Sequence, residues 1–434
     1  MKHKYKIENI VLIILYMLIG IAKWIPSIQD ISMIVIIVGI FYFSLKDSLY
    51  KLAPMFIFFN SSILYFSGIA ICDIFFACYL LCFLKKKIYL KKKHLHPMFL
   101  VFIIYTMLVI SKYNLSLAVE VLLSLLFCYF FLNDLMAKDK WRQFCNWYIV
   151  GIFSATIYGI KNYMDALAGV AFEGESVRYT LSFMDPNYAG LFLSIGLYML
   201  ILLKDNFRLM EKIVGVTICI VSILLTISSS AILCNAIVAL FLIFSNGFKN
   251  INIKVIFKYA IIIVTFMIIL FGITKNYFPD AMRSFERFEQ KVELLKSGEL
   301  GSATTERSDI WKKHLQFFGN QKSPIKILIG GNYLTDRGFD AKHFSIVSHE
   351  VYIDSLVCFG LLGTLIYVVT VIHQFFYKWK YRNLSEDKKV IFAIILIWLI
   401  YSFILSMFPF WAFIFFMFLD VEEEIGYENK KLNT

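Results

Sequence analysis

Charge is scarce in this chain. Asp, Glu, Lys and Arg together make up 17% of 434 residues, where a soluble domain carries about a quarter. So little charge cannot clothe a water-exposed surface, and soluble architectures are excluded. Histidine is also sparse, with 7 in the chain. His314, His343 and His349 fall in hydrophilic sequence but at no spacing that matches a metal-ligand motif. A disulfide framework is missing as well: Cys72, Cys78, Cys82, Cys128, Cys145, Cys219, Cys234 and Cys358 all lie in or beside apolar runs. What is abundant is hydrocarbon. Hydrophobic residues reach 59% and the mean hydropathy is +0.71, so the expected fold is all-α, a polytopic membrane helix bundle.

Apolar runs bounded by Lys/Arg clusters predict about fourteen spans, and no fewer than about twelve. They centre near Leu15, Ile37, Phe58, Phe76, Ile104, Leu125, Phe153, Leu193, Ser222, Ala239, Met267, Leu365, Ile395 and Phe415. The run Ile213 to Phe244 is too long for one span, and Ser228-Ser229-Ser230 interrupts it, which reads as a tight helical hairpin. With that turn counted, positive charge alternates. Lys2/Lys4/Lys6, Lys46/Lys51, Lys85 to Lys93, Lys138/Lys140/Arg142, Lys204/Arg208/Lys212, Lys249/Lys254/Lys258, Lys378 to Lys389 and Lys430/Lys431 fall on one side. The other side holds little beyond Lys23, Lys112, Lys161 and Arg178. Positive loops stay cytoplasmic, so both termini are expected inside, and the net charge of +12 reads as a topology signal, with no nucleic acid partner implied. The basic start of the chain is followed by no small-x-small cleavage site near Trp24-Ile25-Pro26, so the first apolar run reads as a retained span.

Two longer polar segments then fall outside: Asp165 to Asn187, and the much longer stretch from about Lys275 to Ser348. The chain thus divides into a bundle over 1–274, a large extracytoplasmic loop over 275–348, and closing spans with a cytoplasmic tail over 349–434. Within the loop, Pro279 and the spacing of Met282, Phe285, Phe288, Val292 and Leu295 predict one amphipathic helix, stopped by Gly298. A second is expected from Thr304/Thr305, with Glu306 in its first turn, through Ile310, Trp311, Leu315 and Phe318. Its apolar face would lie on the membrane surface or close over the bundle.

Three polar clusters stand on that outer side: Arg178 before Asp185-Pro186-Asn187, Arg307 within Thr305-Glu306-Arg307-Ser308-Asp309-Ile310-Trp311, and His349 within Ser348-His349-Glu350-Val351-Tyr352-Ile353-Asp354. Each has a purely structural reading. Asp-Pro-Asn starts helices, a lone arginine is commonly solvated, and Ser348 is a favoured N-cap. Asp354 resists that reading, because it enters an apolar run where an ionised group is costly unless it faces a cavity.

With these residues, the chain resembles the O-antigen polymerase/ligase family of bacterial membrane proteins. Arg178 with Asp-Pro-Asn at a span's start, the Glu-Arg-Ser-Asp-Ile-Trp segment in one large loop, and His349 leading through Gly360-Leu361-Leu362-Gly363 carry the resemblance. It departs in two places: Glu350 stands where the family often has Asn, and the polymerase spacing from arginine to glycine is missed by one position at Gly190. The resemblance implies a GT-C-like, metal-independent and cofactor-free glycosyltransferase in the bacterial cytoplasmic membrane, with its active site on the extracytoplasmic face. The donor would be an oligosaccharide on undecaprenyl pyrophosphate, serving lipopolysaccharide or capsule synthesis beside a flippase and a chain-length regulator. A polymerase moves the glycan onto the next lipid-linked repeat unit; a ligase moves it onto another acceptor; the motifs leave the two open.

The residues suit that chemistry. Arginine forks bind phosphate oxygens bidentately and keep their charge, so Arg178 and Arg307 are expected on the pyrophosphate, with Asp185, Asn187 and Tyr352 as further substrate contacts. His349 titrates near working pH and is the expected base toward the acceptor hydroxyl, with Glu350 or Asp354 orienting it or taking that role. Two rival classes remain: a lipid-linked oligosaccharide flippase or exporter, which would need polar groups at mid-membrane or internal repeats, and a noncatalytic subunit whose loop recruits a partner.

Overall fold

The structure is a computed structural model. It describes residues 2–59, 63–67, 69–85, 103, 115–169, 177–183, 185–245, 293–294, 296–298, 307–330, 348–405 and 411–422. Helices dominate: α1 (Lys2–Ala22), α2 (Gln29–Leu45), α3 (Ala53–Phe58), α4 (Ile71–Lys85), α5 (Leu115–Leu135), α6 (Lys138–Gly169) and α7 (Pro186–Leu202). They continue as α8 (Leu209–Leu225), α9 (Ser229–Ser245), α10 (Arg307–Gly319), α11 (Pro324–Ile329), α12 (Val351–Tyr381), α13 (Glu386–Ser402) and α14 (Trp411–Phe418). Among the described residues, two segments, Pro26–Leu45 and Val351–Tyr381, are long and apolar enough to cross a membrane, and a third would be if the pair Val121–Leu135 and Lys138–Leu167, bent by 116°, formed one span.

The run around Phe58 departs from the expected span. α3 ends after six residues, and the chain then pairs β1 (Tyr65–Phe66) with β2 (Ile69–Ala70) as an antiparallel hairpin. Ser67 in the left-handed region (φ 51) turns the chain where a helix would have to continue. The runs around Ile104 and Met267, most of the first loop helix, and residues 304–306 lie outside the described residues. Of that stretch, residues 293, 294 and 296 are helical and Gly298 follows in a left-handed conformation (φ 82), with Ser297 N–H bonded to Glu293 O.

α7 is the central helix, buried along almost its whole length. Two glycines let neighbours approach its backbone: a Cβ at Gly190 would meet the Tyr401 hydroxyl, and one at Gly196 would meet Ile152. Small residues at such contacts are how apolar helices associate closely. Partner pairs fix the direction of four helices around α7. Gly215 of α8 meets Leu200, whereas Ser228 meets Asn187 and Asn235 meets Ser194. So α8 runs antiparallel to α7, the chain turns at Thr226–Ser228, and α9 returns parallel to it. The triple-serine break is a hairpin turn. α13 runs antiparallel to α7, from Glu386 at Lys204 to Tyr401 at Gly190. α6 does the same, with Arg142 against Asp387 and Gly159 against Leu181.

The bundle therefore has two ends. The described parts of the basic clusters 46–51, 138–142, 204–212 and 378–389 gather at one, tied by contacts such as Tyr50–Gln143, Arg142–Asp387 and Lys204–Glu386. Arg178, Asp185, the Thr226–Ser228 turn, Arg307, His349 and the end of α13 gather at the other.

α12 is not straight. Gly360 (φ 67, ψ −169) breaks it, and the Tyr352 and Tyr367 rings lie 5.6 Å apart, although a straight helix would hold those residues about 22 Å apart. The nine-residue arm before Gly360 folds back along the arm Leu361–Tyr381, which alone is about 31 Å long, enough to cross a bilayer core. The apex is clamped by α11: a Cβ at Gly360 would collide with Gly330 N and Ile327 O, and one at Gly330 with Cys358 O. Tyr352 thus lies beside Tyr367, six residues or roughly 9 Å inward from the top of the long arm.

Candidate functional site

The site assembles from three separate stretches at this recessed end. The first is the start of α7. Asp185 takes an extended conformation (φ −116, ψ 128) and its side chain accepts the Asn187 N–H at 2.7 Å, with Pro186 in the first helical position. This is the helix-start geometry that Asp-Pro-Asn encodes. Asn187 in turn accepts the Ser228 hydroxyl at 2.7 Å, fastening α7 to the α8–α9 turn.

Arg178 serves the same turn. Its Nε donates to Thr226 O at 3.0 Å and Nη2 to Ile227 O at 3.5 Å, while the neighbouring Tyr179 N–H bonds to Leu225 O. The carbonyls at a helix C-terminus have no partner within the helix, and this guanidinium satisfies them. Arg178 is at the expected end, where it binds the carbonyls of this turn.

The second stretch is α10. Trp311 Nε1 donates to Ser348 O at 2.9 Å and Arg307 Nη1 to Ile404 O, beyond the end of α13, at 3.3 Å. The helix thus closes over the bundle, one of the two placements its amphipathic pattern allowed. Buried His314 lies two turns from Arg307 on the same face, its Nδ1 2.8 Å from Ile310 O.

The third is Ser348–Asp354. Here the capping differs from expectation: Glu350, not Ser348, is the N-cap of α12, its Oε2 accepting Ile353 N–H at 2.5 Å. Ser348 instead donates to Asp354 Oδ1 and accepts the Glu350 N–H at 3.1 Å. Both carboxylates are buried and both are engaged within this one turn. Together they hold His349 in the left-handed region (φ 57), a conformation that costs a residue with a Cβ on the order of 1–2 kcal/mol. The half-buried imidazole has no hydrogen bond among the described residues.

Arg307, His314 and Asp185 all act electrostatically on His349. Burial lowers the His349 pKa from its ordinary value; Arg307 and His314 push it further down, and Asp185 opposes them. Burial also lowers that of Arg307, again opposed by Asp185. At neutral pH the imidazole is therefore uncharged, able to accept a proton, beside a guanidinium that stays charged. Tyr352 faces elsewhere. Its hydroxyl accepts from Ser402 Oγ at 3.1 Å, and its ring borders an apolar groove of about 400 Å³ between α12 and α13, lined by Val368, Val371, Phe375, Leu399 and Phe403.

His314 was weighed in the sequence only as a metal ligand; its i, i+7 spacing from Arg307 was the signal that joins it to this site. Among the described residues, no group of three His, Cys, Asp or Glu side chains can hold a metal, and all eight cysteines are free thiols. His343 lies outside the described residues. No family model matches the chain, and no curated protein matches it.

Proposed function

We propose that this protein is a polysaccharide polymerase of the O-antigen polymerase/ligase kind, an integral membrane glycosyltransferase of about fourteen spans with both termini in the cytoplasm. The observation that carries the reading is the meeting of Arg307 and His349, 42 positions apart in sequence, in a recess at the end of the bundle opposite the basic clusters. By the positive-inside rule that end faces outward. A guanidinium with a single carbonyl partner among the described residues, at 3.3 Å, has donors left for phosphate oxygens, and a neutral imidazole beside it suits a base.

In the reaction, the acceptor hydroxyl of a lipid-linked repeat unit attacks the anomeric carbon of the donor glycan. The bond from that carbon to the pyrophosphate oxygen breaks, undecaprenyl diphosphate leaves with the bonding electrons, and the hydroxyl proton passes to His349. Arg307 stabilises the charge growing on the leaving group. The recess and the overlying α10 keep water from competing as acceptor.

The test is reconstitution in liposomes with lipid-linked repeat units in the outer leaflet only. Polymer made by the wild-type chain, and lost on Arg307→Ala or His349→Ala, is the expected outcome. Transfer only when a second acceptor is supplied would make the protein a ligase, and no glycosyl transfer in either format would overturn the reading.

A further inference from the structure

α11 is apolar and uncovered. Four of the six residues in Pro324-Ile325-Lys326-Ile327-Leu328-Ile329 are aliphatic, yet none of the six is buried. Ile325 is 68% exposed and Leu328, one turn on, is 53% exposed. In water such a surface is unfavourable, so its surroundings need a physical account.

The place of α11 in the fold supplies one. Its backbone is clamped on the apex of α12: a Cβ at Gly360 would lie 2.7 Å from Ile327 O and 2.8 Å from the Leu328 carbonyl carbon. From that apex the long arm sets out, with an exposed apolar stripe through Leu361, Leu365, Ile372 and Phe376. Those positions share one helix face, and in a segment able to cross a membrane such a face meets lipid. The arm is about 31 Å long and a hydrocarbon core about 30 Å thick. Leu361 therefore marks the boundary of that core, on the side that the positive-inside rule makes the outer one. Leu328, packed on Gly360, lies at the same depth, and its apolar surface continues the stripe. A contiguous patch of this kind marks a contact surface. Lys322 and Lys326, both exposed, carry ammonium groups on stems long enough to reach the lipid phosphates.

We propose that α11 is an interfacial anchor, with Ile325 and Leu328 seated among the acyl chains of the outer leaflet and Lys322 and Lys326 at the phosphates. Its partner is a phospholipid surface. The seating also holds the recessed arm. Gly330 ends α11 and packs backbone to backbone on Cys358, Phe359 and Gly360, and the nine-residue arm behind the His349 turn folds back from that apex. Lipid that fixes α11 thereby fixes the pivot of the arm.

This inference rests on reading α12 as a span and not on the transferase reading. The full-length chain would carry the photoreactive residue p-benzoylphenylalanine at position 325 or 328, or at exposed position 313 on α10, in nanodiscs of phosphatidylethanolamine and phosphatidylglycerol. After irradiation, mass spectrometry is expected to find phospholipid joined at 325 and 328 and none at 313. Cross-links to a second copy of the chain instead of lipid would overturn the proposal, as would equal lipid labelling at all three positions. A double variant, Ile325→Ser with Leu328→Ser, removes the apolar side chains and leaves the Gly330–Gly360 clamp in place. Its hydrogen exchange is expected to rise over 325–330 and over 351–359, and exchange unchanged over 351–359 would refute the hold on the arm. Lipid adducts as expected in a chain that never transfers glycan would leave the anchor standing and sink the transferase reading alone.

Discussion

The two ends of the bundle handle charge in opposite ways. At the basic end several charges are paired with opposite ones. Arg142 meets Asp387 at 3.1 Å, Lys140 meets Asp134, which also accepts from Tyr79 at 2.7 Å, and Lys388 and Tyr377 share Asp420. Buried Lys378, with no ion pair among the described residues, has two acceptors, Met417 O and Gln374 Oε1. At the recessed end Arg307 has only a backbone carbonyl and His349 has no hydrogen bond among the described residues. Paired charges tie helices together, while charges left with open donors and acceptors in a recess are capacity for a ligand. The contrast separates groups that hold the fold from groups offered to chemistry.

The sharpest way to break that comparison is to remove one guanidinium from each end. Arg307→Ala is expected to reduce glycosyl transfer roughly a hundred- to thousandfold while leaving thermal stability near wild type. Arg307→Lys should fail too, because a point charge does not reproduce the fork. Arg142→Ala should do the reverse: it strands buried Asp387 and costs about 3 kcal/mol of stability, with the site chemistry retained in whatever protein folds. Transfer assays beside fluorescence melts in detergent would tell the two apart, and equal destabilisation by both would erase the distinction between the ends.

Gly360→Ala comes next. It places a Cβ at positive φ against Gly330 N and Ile327 O, so α11 must shift and the recessed arm of α12 with it. Loss of both stability and transfer is expected, with Gly330→Ala acting alike. A smaller effect lies in pH. Because burial and Arg307 lower the His349 pKa, the base stays neutral below the ordinary imidazole value near 6.5. Transfer rate should accordingly hold through pH 6.5 and fall only at more acidic pH, a profile lost in His349→Gln. The mildest change is Trp311→Phe, which deletes the bond to Ser348 O. About 1 kcal/mol of support for the turn is lost, and a several-fold drop in kcat with little change in the melting curve is expected.

Much of the architecture was legible beforehand because it follows from local rules. Apolar runs form helices since the backbone must satisfy itself where water is excluded; Asp185-Pro186 starts α7 because cap and proline chemistry act within one turn; and the Ser228-Ser229-Ser230 break proved a hairpin because α8 and α9 both pack along α7. The span expected around Phe58 did not form, since hydropathy does not register a left-handed residue such as Ser67. In the site, Arg307, His349 and Asp185 were candidates because they stand in polar clusters beside apolar runs and because of the resemblance those clusters carry.

What composition and pattern determined by themselves, then, was a helical bundle with its basic clusters at one end and three polar motifs held apart from them, since helix formation and charge placement depend on neighbours a few residues away. Only the tertiary structure decided that Arg178 closes the end of α8, that Glu350 and Asp354 serve their own turn, and that Asp185 and His314 act electrostatically on His349 along with Arg307. Those outcomes depend on the fold-back at Gly360 and the crossing of α7, α10, α12 and α13, and a side chain's partner across such distances is set by packing in three dimensions, on which spacing along the chain carries no information.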